Sequence, residues 1–177
     1  MKRDTFGQLA LTIALVCVLV LVATLATLAM PSIRLVLGFA PAQAGAYALG
    51  ERIDVPPAVY ESSQYTVVVF ARSGCGVCQQ MKPWLSDLAE RVQQRASSRV
   101  VMVVGAGQLK DEIAFAGEIG LGRERVVPLT PGPIKVQVVP TVVLVDRQGR
   151  VLFVQEGAPL AERDAVIDRI VTLTQPH

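Results

Sequence analysis

The run Tyr65-Thr66-Val67-Val68-Val69-Phe70-Ala71-Arg72-Ser73-Gly74-Cys75-Gly76-Val77-Cys78-Gln79-Gln80-Met81-Lys82-Pro83 decides the fold. Tyr65–Ala71 is almost continuously apolar and β-branched, the pattern of a strand buried on both faces. Ser73-Gly74 breaks it. Beyond the break Met81, Leu85, Leu88 and Val92 recur on one helical face, while Asp87, Glu90, Arg91 and Arg95 fall elsewhere. A helix over Gly76–Ser97 is expected, entered directly from the strand, with two cysteines on its first turn. A sulfur at a helix N-terminus faces free N–H groups and the positive end of the dipole, which favour an anion. Cys75 is therefore the expected nucleophile, and Cys78, one turn deeper, the thiol that resolves the mixed disulfide. Gly74 and Gly76 leave the backbone around Cys75 open to an incoming substrate chain. The competing readings of the pair are a structural disulfide and half of a metal site. A structural zinc site wants four ligands, and the chain has no second pair of this kind; its single histidine is His177, the last residue.

That lone histidine also excludes a Cys–His protease and a zinc deaminase. Three cysteines in 177 residues are too few for a disulfide-stapled scaffold. From Ala46 onward acidic and basic residues balance at 14 each, so no basic patch marks a nucleic-acid partner.

The apolar excess lies at the N-terminus. Residues 1–5 read as a short cytoplasmic end, and residues 6–31 as a transmembrane anchor: Phe6 to Met30 carries no charge and ends at Pro31. At about 1.5 Å per residue this helix exceeds the roughly 30 Å hydrocarbon core. Lys2 and Arg3 place its N-terminus in the cytoplasm and the rest of the chain outside. A cleaved signal peptide is the rival, because Ala42-Gln43-Ala44 has a small-x-small form, but the apolar run is far longer than the usual h-region. Cys17 reads as a small apolar residue of the bilayer. Residues 32–57 read as a tether, with at most a short strand around Arg52–Val55, and residues 58–177 as the compact domain.

Within that domain Val100–Val104 reads as a second buried strand, Gln108–Ile119 as a helix, and Leu121–Val136, rich in Gly and Pro, as a connection. Thr141–Val145 and Val151–Gln155 are strands joined by the turn Asp146-Arg147-Gln148-Gly149-Arg150, in which Gly149 can take a positive φ. Pro159 suits a first helical turn, and Leu160–Leu173 is an amphipathic helix. The order β-α-β-α-β-β-α implies an α/β fold: a mixed central β-sheet with helices on both faces, preceded by one transmembrane helix.

Cys75-Gly76-Val77-Cys78, with Pro83 five residues later, resembles the thioredoxin active site. Val139-Pro140-Thr141 resembles the cis-proline loop of that fold, and Asp146–Val151 its last hairpin. The resemblance spans Ala58 to about Leu173 and implies a thioredoxin-like fold. It also implies that Val139 and Pro140, with Gly74 and Gly76, hold the substrate chain, and that no cofactor or metal is needed beyond the redox-active Cys75–Cys78 pair. The anchor and the Asp111–Leu121 segment look more like the exported TlpA/ResA/CcmG and MauD branches. These imply a membrane thiol electron donor and exported disulfide proteins, apocytochrome c among them, as partners. The branch favours a reductase in the periplasm or an equivalent space; an oxidase or isomerase, or a non-catalytic chaperone or assembly module, are the alternatives. Val69, Gly74 and Met81 stand where relatives place a buried Asp, a Trp and a Glu, so the usual proton-handling carboxylate is missing from its familiar places. Trp84 reads as core packing, and Lys82 and Arg72 as solvated charges.

Overall fold

The computed structural model describes residues 46–105, 109–129 and 135–175. The expected anchor at 6–31 lies outside them. Among the described residues no helix is long and apolar enough to cross a membrane.

Five strands form one mixed sheet: β1 (Tyr65–Phe70), β2 (Ser98–Val104), β3 (Val126–Pro128), β4 (Thr141–Asp146) and β5 (Val151–Glu156). Their spatial order is β3-β2-β1-β4-β5. β1, β2 and β3 run parallel, while β4 is antiparallel to β1 and β5 to β4. The central strands are buried on both sides, which is why their sequences are continuous apolar runs rather than alternating ones. Val67, Val69, Val100, Met102, Val142 and Leu144 face one side; Val68, Phe70, Val101, Val103, Val143 and Val145 face the other.

The expected first helix is two helices, α1 (Gly76–Gln80) and α2 (Lys82–Gln93), hinged at Met81 (φ −90°, ψ 1°). Pro83 causes the break, since it has no N–H to give and its ring crowds the carbonyl four residues back. α3 spans Leu109–Glu118 and α4 Arg163–Leu173. Pro159 lies in the bend before α4 rather than in its first turn. Trp84 is core as expected, 4% exposed, and its indole N–H donates to the Arg163 carbonyl at 2.9 Å, fixing α2 against the start of α4.

Three expectations are corrected. The segment read as a connection contains β3, a three-residue edge strand whose Met102↔Val126 and Val104↔Pro128 pairing extends the sheet. The described α-helices also lie on one face only, with just a one-turn 3-10 helix (Pro57–Val59) on the other: Leu85, Leu88, Phe115, Ala116, Ile167 and Ile170 share one core with Val67 and Met102. The topology explains this. The crossovers from β1 to β2 and from β2 to β3 step in the same direction, so right-handedness places α2 and α3 on the same side. The opposite face is covered largely by residues assigned to the tether: Ala46, Tyr47, Ile53 and Val55, joined by Val59 and Tyr60 from the start of the compact domain, are buried against Val68, Phe70 and Val143. Arg52 makes an isolated bridge to Arg150, rather than belonging to a strand.

The hairpin turn forms as read. Gly149 has φ +76°, the Asp146 side chain accepts from the N–H groups of Gln148 and Arg150 at 2.9 and 2.8 Å, and the Gly149 carbonyl accepts from Ile53 N–H at 2.9 Å.

Candidate active site

β1 ends at Phe70, and the chain turns through Arg72–Gly74 into α1. Cys75 N–H closes the turn on the Arg72 carbonyl at 3.1 Å. Cys75 itself is the N-cap of α1: its backbone is extended (φ −89°, ψ 114°), and its sulfur accepts from Cys78 N–H at 3.2 Å. A residue in this position has its side chain directed at the orphan donors of the first turn. Both thiols are free; Cys75 is part-exposed and Cys78 fully buried. Burial, with the neighbouring Cys75 sulfur, pushes the Cys78 thiol up to about 12. The first sulfur is thus offered to solvent, while the second keeps its proton below it.

The other half of the site comes from β4. Phe70 pairs with Thr141, so the residues just before Thr141 lie beside the loop just after Phe70. The Val139–Pro140 peptide bond is cis, and the Cys75 thiol donates to the Val139 carbonyl at 3.7 Å. Thr141 Oγ1 donates to the Val138 carbonyl at 2.7 Å and steadies the loop. Cys75, Cys78, Gly74, Val139 and Pro140 therefore meet in one place. A Cβ at Gly74 or at Gly76 would meet nothing within 4 Å, so both glycines border open space. Val77, between the cysteines, and Val138, before the cis-proline loop, are 47% and 49% exposed.

Val69 and Met81 are buried at 1% exposure in the core, so the familiar carboxylate positions are filled by apolar packing. Lys82 is committed elsewhere: its ammonium pairs with Glu118 and stands 5.3 Å from the Phe115 ring centroid. The acid that does reach the site was not singled out in the sequence. Glu112 of α3, 8% exposed, accepts from Ser73 N–H and from Ser73 Oγ at 2.9 Å each. With Arg72, Ser73, Gly74, Cys75 and Asp111 it lines a cleft of about 450 Å³. Its signal was available: Glu112 lies three residues before Phe115 and seven before Ile119, on the buried face of an amphipathic helix, where an unpaired acid is costly.

The fold and the dithiol define the class, a thioredoxin-like thiol–disulfide oxidoreductase. The chain belongs to the thioredoxin-like domain family, whose model matches residues 58–168. Among solved structures it is similar to a Chlorobium tepidum protein assigned as the thiol:disulfide interchange protein DsbE. The two are 25% identical, with 63% of this chain and 81% of that one covered at a TM-score of 0.51. The thioredoxin domain of a Bacteroides vulgatus thiol-disulfide oxidoreductase shares the fold at 15% identity, with coverage of 71% and 99% and a TM-score of 0.54. A secreted Mycobacterium tuberculosis disulfide oxidoreductase shares it at 16% identity, with coverage of 65% and 84% and a TM-score of 0.50. No curated protein sequence matches the chain.

The Cys78 thiol sets a pH dependence. The folded chain holds this proton with a pKa raised from 9.0 to about 12, whereas the unfolded chain releases it near the ordinary value. Its contribution to stability is therefore complete below pH 9 and lost as pH climbs towards 12. In the reduced chain, melting midpoints measured across that window fall with pH, and Cys78→Ala removes part of the slope. Identical slopes in the two proteins would contradict the burial of a protonated thiol.

Proposed function

We propose that the chain is a membrane-tethered, extracytoplasmic thiol–disulfide oxidoreductase that reduces disulfides of exported proteins, cytochrome c maturation among its settings. The observation that carries the chemistry is the asymmetric dithiol: a part-exposed Cys75 sulfur capping α1, above a buried, protonated Cys78. In the reductive direction the Cys75 thiolate attacks one sulfur of a substrate disulfide, that S–S bond breaks, and the other substrate sulfur leaves as a thiolate. Cys78 then attacks Cys75, the mixed disulfide breaks, the second substrate sulfur leaves and takes up the proton that Cys78 gives up, and two electrons have passed to the substrate. The product is a reduced substrate and a Cys75–Cys78 disulfide, which a membrane thiol donor returns to the dithiol. Gly74, Gly76, Val139 and Pro140 border the path of the substrate chain, with Val77 and Val138 as exposed apolar contacts. The uncharged run before Pro31 supplies the tether, and confinement to the membrane raises the effective concentration near its partners.

Cys78→Ser tests this reading. Without the resolving thiol, the mixed disulfide through Cys75 accumulates and is seen as high-mass adducts on non-reducing gels that collapse on reduction. Substrates recovered with their cysteines oxidised in the absence of the wild-type chain indicate a reductase; substrates recovered unpaired indicate an oxidase, and substrates recovered with mispaired disulfides an isomerase. A variant that captures no protein at all points to a binding module with a structural dithiol.

A further inference from the structure

We propose that Glu112 is a positioning residue for the thiol–disulfide exchange, fixing from α3 the loop that carries the Cys75 sulfur. The inference rests on Cys75 being the attacking thiol. Ser73 stands two residues before Cys75, and each of its polar groups is held. Glu112 takes its N–H and its hydroxyl at 2.9 Å each, and the Gln79 side-chain amide of α1 donates to its carbonyl. Glu112 as a residue is more than nine-tenths buried, so losing one of these contacts leaves a largely desolvated partner.

The grip of α3 extends further. Glu112, Phe115 and Glu118 recur every three residues along α3. The last two engage Lys82 of α2, one by an ion pair and one through the ring face. α3 thus holds the redox element on both sides of the hinge at Met81: the loop before Cys75 through Glu112, and the start of α2 through Lys82. This matters to the reaction because attack on a disulfide requires the incoming sulfur in line with the bond that breaks. A small displacement of that sulfur lowers the rate steeply, by up to about a hundredfold per ångström. Alkylation by a small reagent has no such alignment to satisfy with the cis-proline loop and the substrate strand. Positioning and intrinsic thiol reactivity can therefore be separated.

The variants are Glu112→Ala and Glu112→Gln in the full-length chain solubilised in detergent. Glutamine keeps both contacts: its carbonyl accepts from Ser73 N–H, and its amide donates to Ser73 Oγ. Two rates are measured on each protein, reduction of a peptide disulfide and alkylation of Cys75 by iodoacetamide. Expected are an exchange rate about tenfold lower in Glu112→Ala, alkylation unchanged in both variants, and Glu112→Gln within about threefold of the wild type in both rates. Three results overturn the inference: exchange unchanged in Glu112→Ala, Glu112→Gln as slow as Glu112→Ala, or alkylation falling in step with exchange. A wild-type chain that reduces no disulfide overturns the nucleophile assignment itself, whereas variant insensitivity in an active wild type overturns only the role of Glu112.

Discussion

Cys75→Ser abolishes disulfide exchange and leaves the fold intact. A hydroxyl stays protonated at neutral pH and forms no S–S bond, so the mixed disulfide is lost altogether rather than slowed. The fold survives because the sulfur's structural duty is that of an N-cap, accepting from Cys78 N–H at 3.2 Å. Serine is among the preferred residues for that duty. The melting midpoint of the reduced protein is therefore expected within about 2 °C of the wild type, corresponding to roughly 0.5 kcal/mol. Cys75→Ala loses the cap as well as the thiol, and costs about 1 kcal/mol more than serine. The check pairs a disulfide-reduction assay with thermal melts of both variants. Residual exchange in Cys75→Ser would show that Cys78 can act as a nucleophile from its buried position. Equal melts for serine and alanine would show that the sulfur is no cap.

Gly149→Ala has the largest expected effect on stability. At φ +76° a Cβ crowds its own backbone, at a cost of about 1–2 kcal/mol. The added carbon would also lie 2.6 Å from the Tyr60 ring, and Tyr60 is 1% exposed, so the ring cannot swing into solvent. Displacing it adds about 1–3 kcal/mol. A fall of the midpoint by about 10 °C follows for a body of this size. Gly157→Ala is the control. Gly157 has φ +68°, but a Cβ there meets nothing within 4 Å, so only the backbone part of the loss is expected. If the two alanine variants melt together, the Tyr60 contact carries no energy.

What was legible in the sequence, and what was not, follows physical lines. The dithiol, its strand and its helix could be read because burial on both faces and helical periodicity are properties of local sequence, as was the Gly149 turn. β3 could not: three residues flanked by Gly and Pro carry no period, and they become a strand only because Met102–Val104 offers an open edge. The one-sided arrangement of the described α-helices depends on the direction of successive crossovers, which needs the strand order. Glu112 partners Ser73 across 39 positions of chain, and nothing in its neighbourhood names that partner. Ala46–Val55 read as tether because its Ala and Gly residues continue a linker-like stretch and Pro56-Pro57 follows it; its role is decided by the apolar sheet face it covers.

That cover sets where the domain can be cut. A fragment beginning at Ala58 would remove Ala46, Tyr47, Ile53 and Val55 and open Val68, Phe70, Val101 and Val103 to water, an aggregation-prone surface on an otherwise intact sheet. It would also remove the Ile53 N–H that holds the Gly149 turn. A fragment beginning at residue 45 retains every one of these groups, including the Ala46 N–H that reaches the Glu156 carboxylate. The natural border of the redox body is thus a dozen residues earlier than its strand pattern announces, directly after the small-x-small motif at Ala42–Ala44. A cut at that motif would leave Ala46, Tyr47, Ile53 and Val55 on the same fragment as the sheet they cover.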